Sequence, residues 1–270
     1  MEQDDIYLEA MLMYVVIDVS QSMGEKIPRS EQDVVDFDDG KSDPEQTTTA
    51  WDAANSALQD LFTSGFRESD LHDLVKLGVI VFNDDASVHR KAWESTVNGL
   101  DVDVLPPAQG VTDFKRLFEK LTSVVTADAE IALNRRIRIK DPAIFILSDG
   151  APYVNHAEQR PEAYRGAVQE LRNLRLRRHQ FPDEPVPSPA EPVVVPFGIG
   201  KSRTKALCEI VTPGYAAYQT ESTAIGDVVT RVMGAILDSL TASAAHRKIT
   251  VVPPGKGIKE INCPGDQHRT

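Results

Sequence analysis

The sequence predicts an α/β fold: a mostly parallel sheet with helices on both faces. Three observations carry this. Residues 12–17 (Leu-Met-Tyr-Val-Val-Ile) and 143–147 (Ala-Ile-Phe-Ile-Leu) are unbroken apolar runs, as strands buried on both faces require. Other segments space their apolar residues at helical intervals. The two kinds alternate along the chain, which is the pattern of strands joined by crossover helices.

Residues 12–17 form the first strand. A stretch over 24–46 follows, with eight acids (Glu25, Glu31, Asp33, Asp36, Asp38, Asp39, Asp43, Glu45) against three bases (Lys26, Arg29, Lys41), and it reads as a charged, solvated loop. Trp51, Ala54, Leu58, Leu61 and Phe62 mark a helix with Gly65 near its end. Residues 74–82 form a second strand, and 102–105 a short third, stopped by Pro106-Pro107. A helix over 112–125 places Phe114, Leu117, Phe118 and Leu121 on one face. After strand 143–147, Pro161 opens a helix. Glu158 and Glu162 lie early in it and Arg172, Arg175, Arg177 and Arg178 late, as the helix dipole favours.

The proline-rich stretch 181–192 ends that helix. Residues 193–197 form a strand whose Pro196 predicts a place near a sheet end. A short helix over 203–210, an edge strand over 215–219 and a last helix follow. That helix carries Ile225, Val228, Val229, Val232, Met233, Ile236, Leu237 and Leu240 as one stripe, with Ser222 as its N-cap. Beyond residue 245 the pattern gives way to a Pro/Gly tail, expected to be disordered. The expected division is one domain over 1–245, with 24–46 and 181–192 as insertions, and a tail over 246–270.

The chain has 270 residues and a formal net charge of -12, which argues against nucleic acid and anionic membrane as partners. Cys208 and Cys263 stand outside any metal spacing and read as two free thiols, suited to a reducing compartment. The acidic Met-Glu-Gln-Asp-Asp start resembles no export signal, and no apolar run is long enough to span a membrane. A cytoplasmic location is expected. Arg135, Arg136, Arg138 and Lys140 read as a solvated basic loop, and His156 as a surface histidine.

Two strands end in carboxylates: Asp18-Val19-Ser20-Gln21-Ser22 after the first, Ser148-Asp149-Gly150 after 143–147. In parallel sheets ligands bind beyond the carboxyl ends of the strands, where the strand order reverses. If these two strands are neighbours there, Asp18 and Asp149 share a crevice and need a proton or a cation between them. The Asp-x-Ser-x-Ser alternation adds hydroxyl oxygens, and Gly110-Val111-Thr112-Asp113 offers another where a helix opens. Hard oxygen donors suit Mg²⁺, Mn²⁺ or Ca²⁺ rather than zinc. Asp113 reads either as an outer acceptor at this site or as a first-turn helix acid, and Ser148 as an orienter of Asp149 or a turn hydroxyl.

These three parts, each at a strand or helix end, resemble the metal-ion-dependent adhesion site of a von Willebrand factor A (VWA) domain over roughly residues 10–243. The resemblance implies a Rossmann-like, doubly wound sheet of six strands in the order 3-2-1-4-5-6, the third antiparallel. It implies that Ser20 and Ser22 bind a divalent cation directly, Mg²⁺ foremost, and Thr112 directly or through water. Asp18 and Asp149 would act mainly through bridging waters, leaving a position for a partner's Glu or Asp. The chain also resembles stand-alone intracellular bacterial VWA proteins of the tellurite-resistance type. That likeness implies a regulatory or scaffolding role in stress signalling, with a kinase, phosphatase or AAA+ ATPase as a reasonable partner.

The expected function is thus a non-enzymatic, metal-dependent interaction module. The alternative is a metal-dependent phosphoester hydrolase. It has the cation site but no DxDx(T/V), GxxxxGK(S/T), HExxH or GxSxG motif, and fewer carboxylates than a two-metal centre uses.

Overall fold

A computed structural model describes residues 8–25, 49–62, 74–94, 104–149, 152–154, 157–182, 184–199, 204–220, 225–246, 248–253, 255 and 257–263. Most of the acidic stretch, Gly65, His156 and Ser222 lie outside the described residues. The strands are β1 (Glu9–Asp18), β2 (Val75–Phe82), β3 (Ala86–Arg90), β4 (Arg138–Ile139), β5 (Ala143–Ser148), β6 (Tyr153–Val154), β7 (Ala157–Glu158), β8 (Val193–Gly198), β9 (Ala217–Thr220) and β10 (Ile258–Ile261). The helices are α1 (Ala50–Asp60), α2 (Phe114–Asn134), α3 (Pro161–Arg172), α4 (Thr204–Ile210) and α5 (Ile225–His246).

The main sheet runs β10-β9-β8-β5-β1-β2-β3, with β4 beside the start of β1 and the β6–β7 hairpin apart. β1 is parallel to β2 and β5, β5 to β8, and β8 to β9, while β3 and β10 pair antiparallel at the two edges. From β3 to β9 this is the expected order 3-2-1-4-5-6, with the third strand antiparallel. The unbroken apolar run of β1 serves two cores, because successive side chains point to opposite faces. Met11, Met13, Val15 and Ile17 pack with α1 and with Val232, Met233 and Ile236 of α5. Leu12, Tyr14 and Val16 pack with α2, α3 and α4.

The strand expected over 102–105 lies half outside the described residues, which resume at Val104. Val104 and Leu105 lie in a non-strand segment, where Leu105 donates its N–H to Asn55 Oδ1 at 2.9 Å. The third strand is β3, joined to β2 by a tight Asn-Asp-Asp turn closed from Asn83 N–H to Asp85 carbonyl at 2.9 Å. Its polar Ala-Ser-Val-His-Arg sequence hides it, since an edge strand needs only one apolar face.

β8 is an interior strand despite Pro196. Val193 and Ile199 donate their N–H groups toward β5, whereas Val194 donates the other way, to Thr212 Oγ1. Two residues on, the missing N–H of Pro196 therefore faces the β9 side, and pairing with β9 begins only at Phe197. β9 is likewise not an edge, because β10 covers it. β10 lies in the segment read as a tail, and its four residues are too few to show a period.

The cysteines are not free: Cys208 of α4 and Cys263 after β10 form a disulfide, with Cα atoms 5.3 Å apart. They lie 55 residues apart in sequence, and only the β9–β10 pairing brings them together. The basic cluster also has structural partners. The Arg135 guanidinium lies 5.1 Å over Trp93, Arg138 lies 4.1 Å over Phe181 and pairs with Glu184, and Lys140 pairs with Glu9 at 2.8 Å. Arg136 takes the left-handed turn (φ 59) that closes the C-terminus of α2, where Ile137 N–H reaches the Ala132 carbonyl.

Candidate metal centre

β1 lies between β2 and β5, and the chain leaves it on one face and re-enters β5 from the other, so strand order reverses here. The register Ile17 to Leu147 sets the two carboxyl ends level. Beyond β1 the chain turns through a 3₁₀ segment, Gln21–Gly24, which folds Ser20 and Ser22 back over the strand end. The loop before α2 is tied to this turn, with Gln109 N–H to Val19 carbonyl at 2.9 Å and Gln21 N–H to Gly110 carbonyl at 3.1 Å.

The five side chains singled out in the sequence meet in one hydrogen-bonded group. Asp18 is fully buried. Its Oδ1 accepts the Ser20 N–H at 2.9 Å, and its Oδ2 accepts the hydroxyls of Thr112 at 3.2 Å and Ser148 at 2.6 Å. The Ser20 and Ser22 hydroxyls lie 3.1 Å apart, and Ser22 donates to Asp149 Oδ1 at 2.9 Å. Ser148, read in sequence either as an orienter of Asp149 or as a turn hydroxyl, donates to Asp18. Asp113 is the N-cap of α2, accepting from Arg116 N–H at 3.2 Å and from Gln159 Nε2 at 2.9 Å. Gln159 also accepts the Phe114 N–H at 3.2 Å, and no sequence signal marked it.

Gly110 sets the position of Thr112. Its φ is +75°, and a Cβ there would lie 2.6 Å from Asp84 Oδ1, the atom that accepts the Val111 N–H. We expect Gly110→Ala to cost at least about 1–2 kcal/mol through the left-handed backbone alone. Displacing the loop should also weaken cation binding. Thermal unfolding and Mg²⁺ titration of the same variant check both, and wild-type values in each would remove Gly110 from this role.

Burial raises the Asp18 pKa, against hydrogen bonds from Ser148, Ser20 and Thr112 that lower it. Asp149 is pushed up to about 7, first by burial and then by the charge of Asp18, with Ser22 opposing and Glu25 adding a smaller push upward. Two acids sharing a crevice in this way are relieved by a proton or by a cation. The donors fit a hard divalent cation: hydroxyl and carboxylate oxygens only. Among the described residues no three His, Cys, Asp or Glu side chains gather as a ligand set, so any cation here would depend on the hydroxyls.

The strand order and this grouping at the switch point define the fold of a von Willebrand factor A domain. Among solved structures, proximal thread matrix protein 1 from the mussel byssus matches with TM-score 0.55 and 13% identity over 87% of this chain and 49% of its own. A von Willebrand factor type A protein from Catenulispora acidiphila matches with TM-score 0.49 and 14% identity over 84% of this chain and 43% of its own. A further structure of the mussel protein, with a zinc-occupied MIDAS motif, matches with TM-score 0.45 and 16% identity over 84% and 46%. The chain thus spans about half the length of these structures. No protein-family model and no curated protein matches the sequence.

Proposed function

We propose that the chain is a metal-dependent protein-interaction module. Ser20, Ser22, Thr112, Asp18 and Asp149 would hold one divalent cation, Mg²⁺ in the first place and Mn²⁺ or Ca²⁺ as substitutes. The carrying observation is the convergence of three hydroxyls, the buried carboxylate of Asp18 and the half-buried one of Asp149 at one crevice. A bound cation would supply an electrophilic centre for a carboxylate oxygen. The chain's residues do the rest. Asp18 orients the Thr112 hydroxyl and the Ser20 backbone, and Asp149 orients Ser22. The partner would be a protein presenting Glu or Asp.

We read the module as non-enzymatic, because its two carboxylates are fewer than a two-metal hydrolase employs. The finer reading belongs to the same proposal: scaffolding or regulation in a bacterial stress-signalling complex, with a kinase, phosphatase or AAA+ ATPase as partner. No described helix is long and apolar enough to cross a membrane. The cytoplasmic location stays a proposal that the Cys208–Cys263 bond puts to the test, since disulfides persist mainly in oxidising compartments.

The deciding experiment is calorimetric titration of Mg²⁺ and Mn²⁺ into metal-stripped protein, beside Asp18→Ala/Ser20→Ala. Saturable binding to the wild type that vanishes in the variant is expected. Absence of binding to the wild type, repeated with an acidic peptide present, would sink the proposal.

A further inference from the structure

The chain beyond α5 is held to the fold in two parts, by different means. Residues 249–252 are fastened to α5 itself. Thr250 donates its N–H to Ser243 Oγ at 2.8 Å and Val252 donates to Ser239 Oγ at 2.9 Å, and both serines are buried. Ile249 and Val251 pack against the core between the sheet, α1 and α5. The second part is β10, and it is held by less. Ile261 is its one buried side chain, Ile258 is half-buried, and Lys259 and Glu260 are exposed. Ordering these residues costs conformational entropy that one buried isoleucine does little to offset. The bond from Cys263 to Cys208 completes the attachment.

Between the two parts stand Gly255 and Gly257. Gly257 has a φ of +89°, a conformation open to glycine at no steric cost. The chain can pivot here with 249–252 still in place.

The bond is within reach of solvent. Cys208 and Cys263 are both half-buried, beside the small core of Leu207, Val211, Ala217 and Ile261. β9 has attachments that do not involve β10. It pairs with β8 at Phe197 and Gly198, Tyr218 stacks on Phe197 at 5.1 Å, and Thr204 donates to Gln219 Oε1 at 3.0 Å. A β9 left uncovered but in place would offer its backbone to an extended chain, as peptide-binding sheet edges do.

We propose that the Cys208–Cys263 disulfide is a redox latch. Its reduction by a dithiol frees β10 and opens the edge of β9 to an extended segment of a partner protein, apolar at its ends and charged between them as β10 is. A thiolate of the reductant attacks one sulfur, the S–S bond breaks, and the displaced cysteine takes a proton. The second thiol of the reductant displaces the other cysteine and closes the reductant's own disulfide, so two electrons pass to the protein. The latch is independent of the cation centre.

The test is hydrogen–deuterium exchange of the full chain with and without dithiothreitol, in the absence of denaturant, with iodoacetamide labelling to count the thiols by mass. Two free thiols are expected, with exchange over 258–261 at least about tenfold faster while β1 and β5 stay slow. A fluorescent peptide of residues 257–262 should bind the reduced chain and Cys208→Ser/Cys263→Ser, and not the oxidised chain. A bond that dithiothreitol leaves intact would overturn the latch. So would β10 protection that survives the release of both thiols. Exchange of β10, β1 and β5 together would make the bond a staple of the whole fold, and a reduced chain that ignores the peptide would overturn the opening of β9.

Discussion

Metal-stripped protein should lose stability as the pH rises from about 4 to about 8, and Mg²⁺ should restore it. Asp149 contributes through its raised pKa. Its folded pKa, about 7, stands above the ordinary value of 3.8, so the folded state holds its proton more tightly between the two. Stability from this group is full below 3.8 and is lost as the pH climbs through about 7. Three units at about 1.4 kcal/mol each bound the loss near 4 kcal/mol. Asp18 is shifted in the same direction by its burial. On the proposed function a cation would replace the proton, so Mg²⁺ affinity should climb over the same interval.

The measurement is the urea midpoint against pH, with EDTA and with Mg²⁺, for wild type and Asp149→Asn. The difference between the two proteins isolates this carboxylate from the many others of an acidic chain. A difference that does not change between pH 4 and 8 would refute the coupling of the two acids.

Removing the disulfide should cost about as much. Closing a loop of 55 residues restricts the unfolded chain by about 4 kcal/mol in the chain-entropy account. Cys208→Ser/Cys263→Ser should lose that amount in denaturant unfolding, and dithiothreitol should do the same to the wild type. The small core beneath it offers little to compensate, being built on Leu207, Val211, Ala217 and Ile261. A wild-type midpoint indifferent to reductant would mean that the bond does not form.

Strands β1, β2, β5 and β8 were legible because burial on both faces leaves a mostly apolar run, broken in β2 only by Lys76 and Gly78. What escaped was held by other physics. β3 and β10 are short edge strands: β3 has one apolar face, and β10 gives one isoleucine to each face beside Lys259 and Glu260. The disulfide depends on which strands become neighbours, which spacing along the chain does not encode. The candidate site was legible because its parts sit at strand ends, where a parallel sheet gathers them. The partner of Ser148 was not, because it depends on register: with Leu147 beside Ile17, the next hydroxyl reaches Asp18 across the strand gap. Asp113 could be read as two things in sequence, and the Arg116 N–H decides it as a helix cap.

The β10 strand has a consequence for the company the protein keeps. Without it, β9 would present an open row of backbone donors and acceptors to any extended chain in solution. With it, the exposed rim is four residues long, turns Lys259 and Glu260 to solvent, and is anchored by a covalent bond just beyond its end. The opposite rim, β3, is five residues long and ends in His89 and Arg90. Both sides of a sheet built largely of valine, isoleucine and leucine are thereby closed to runaway strand-by-strand growth, the route by which such sheets become fibres.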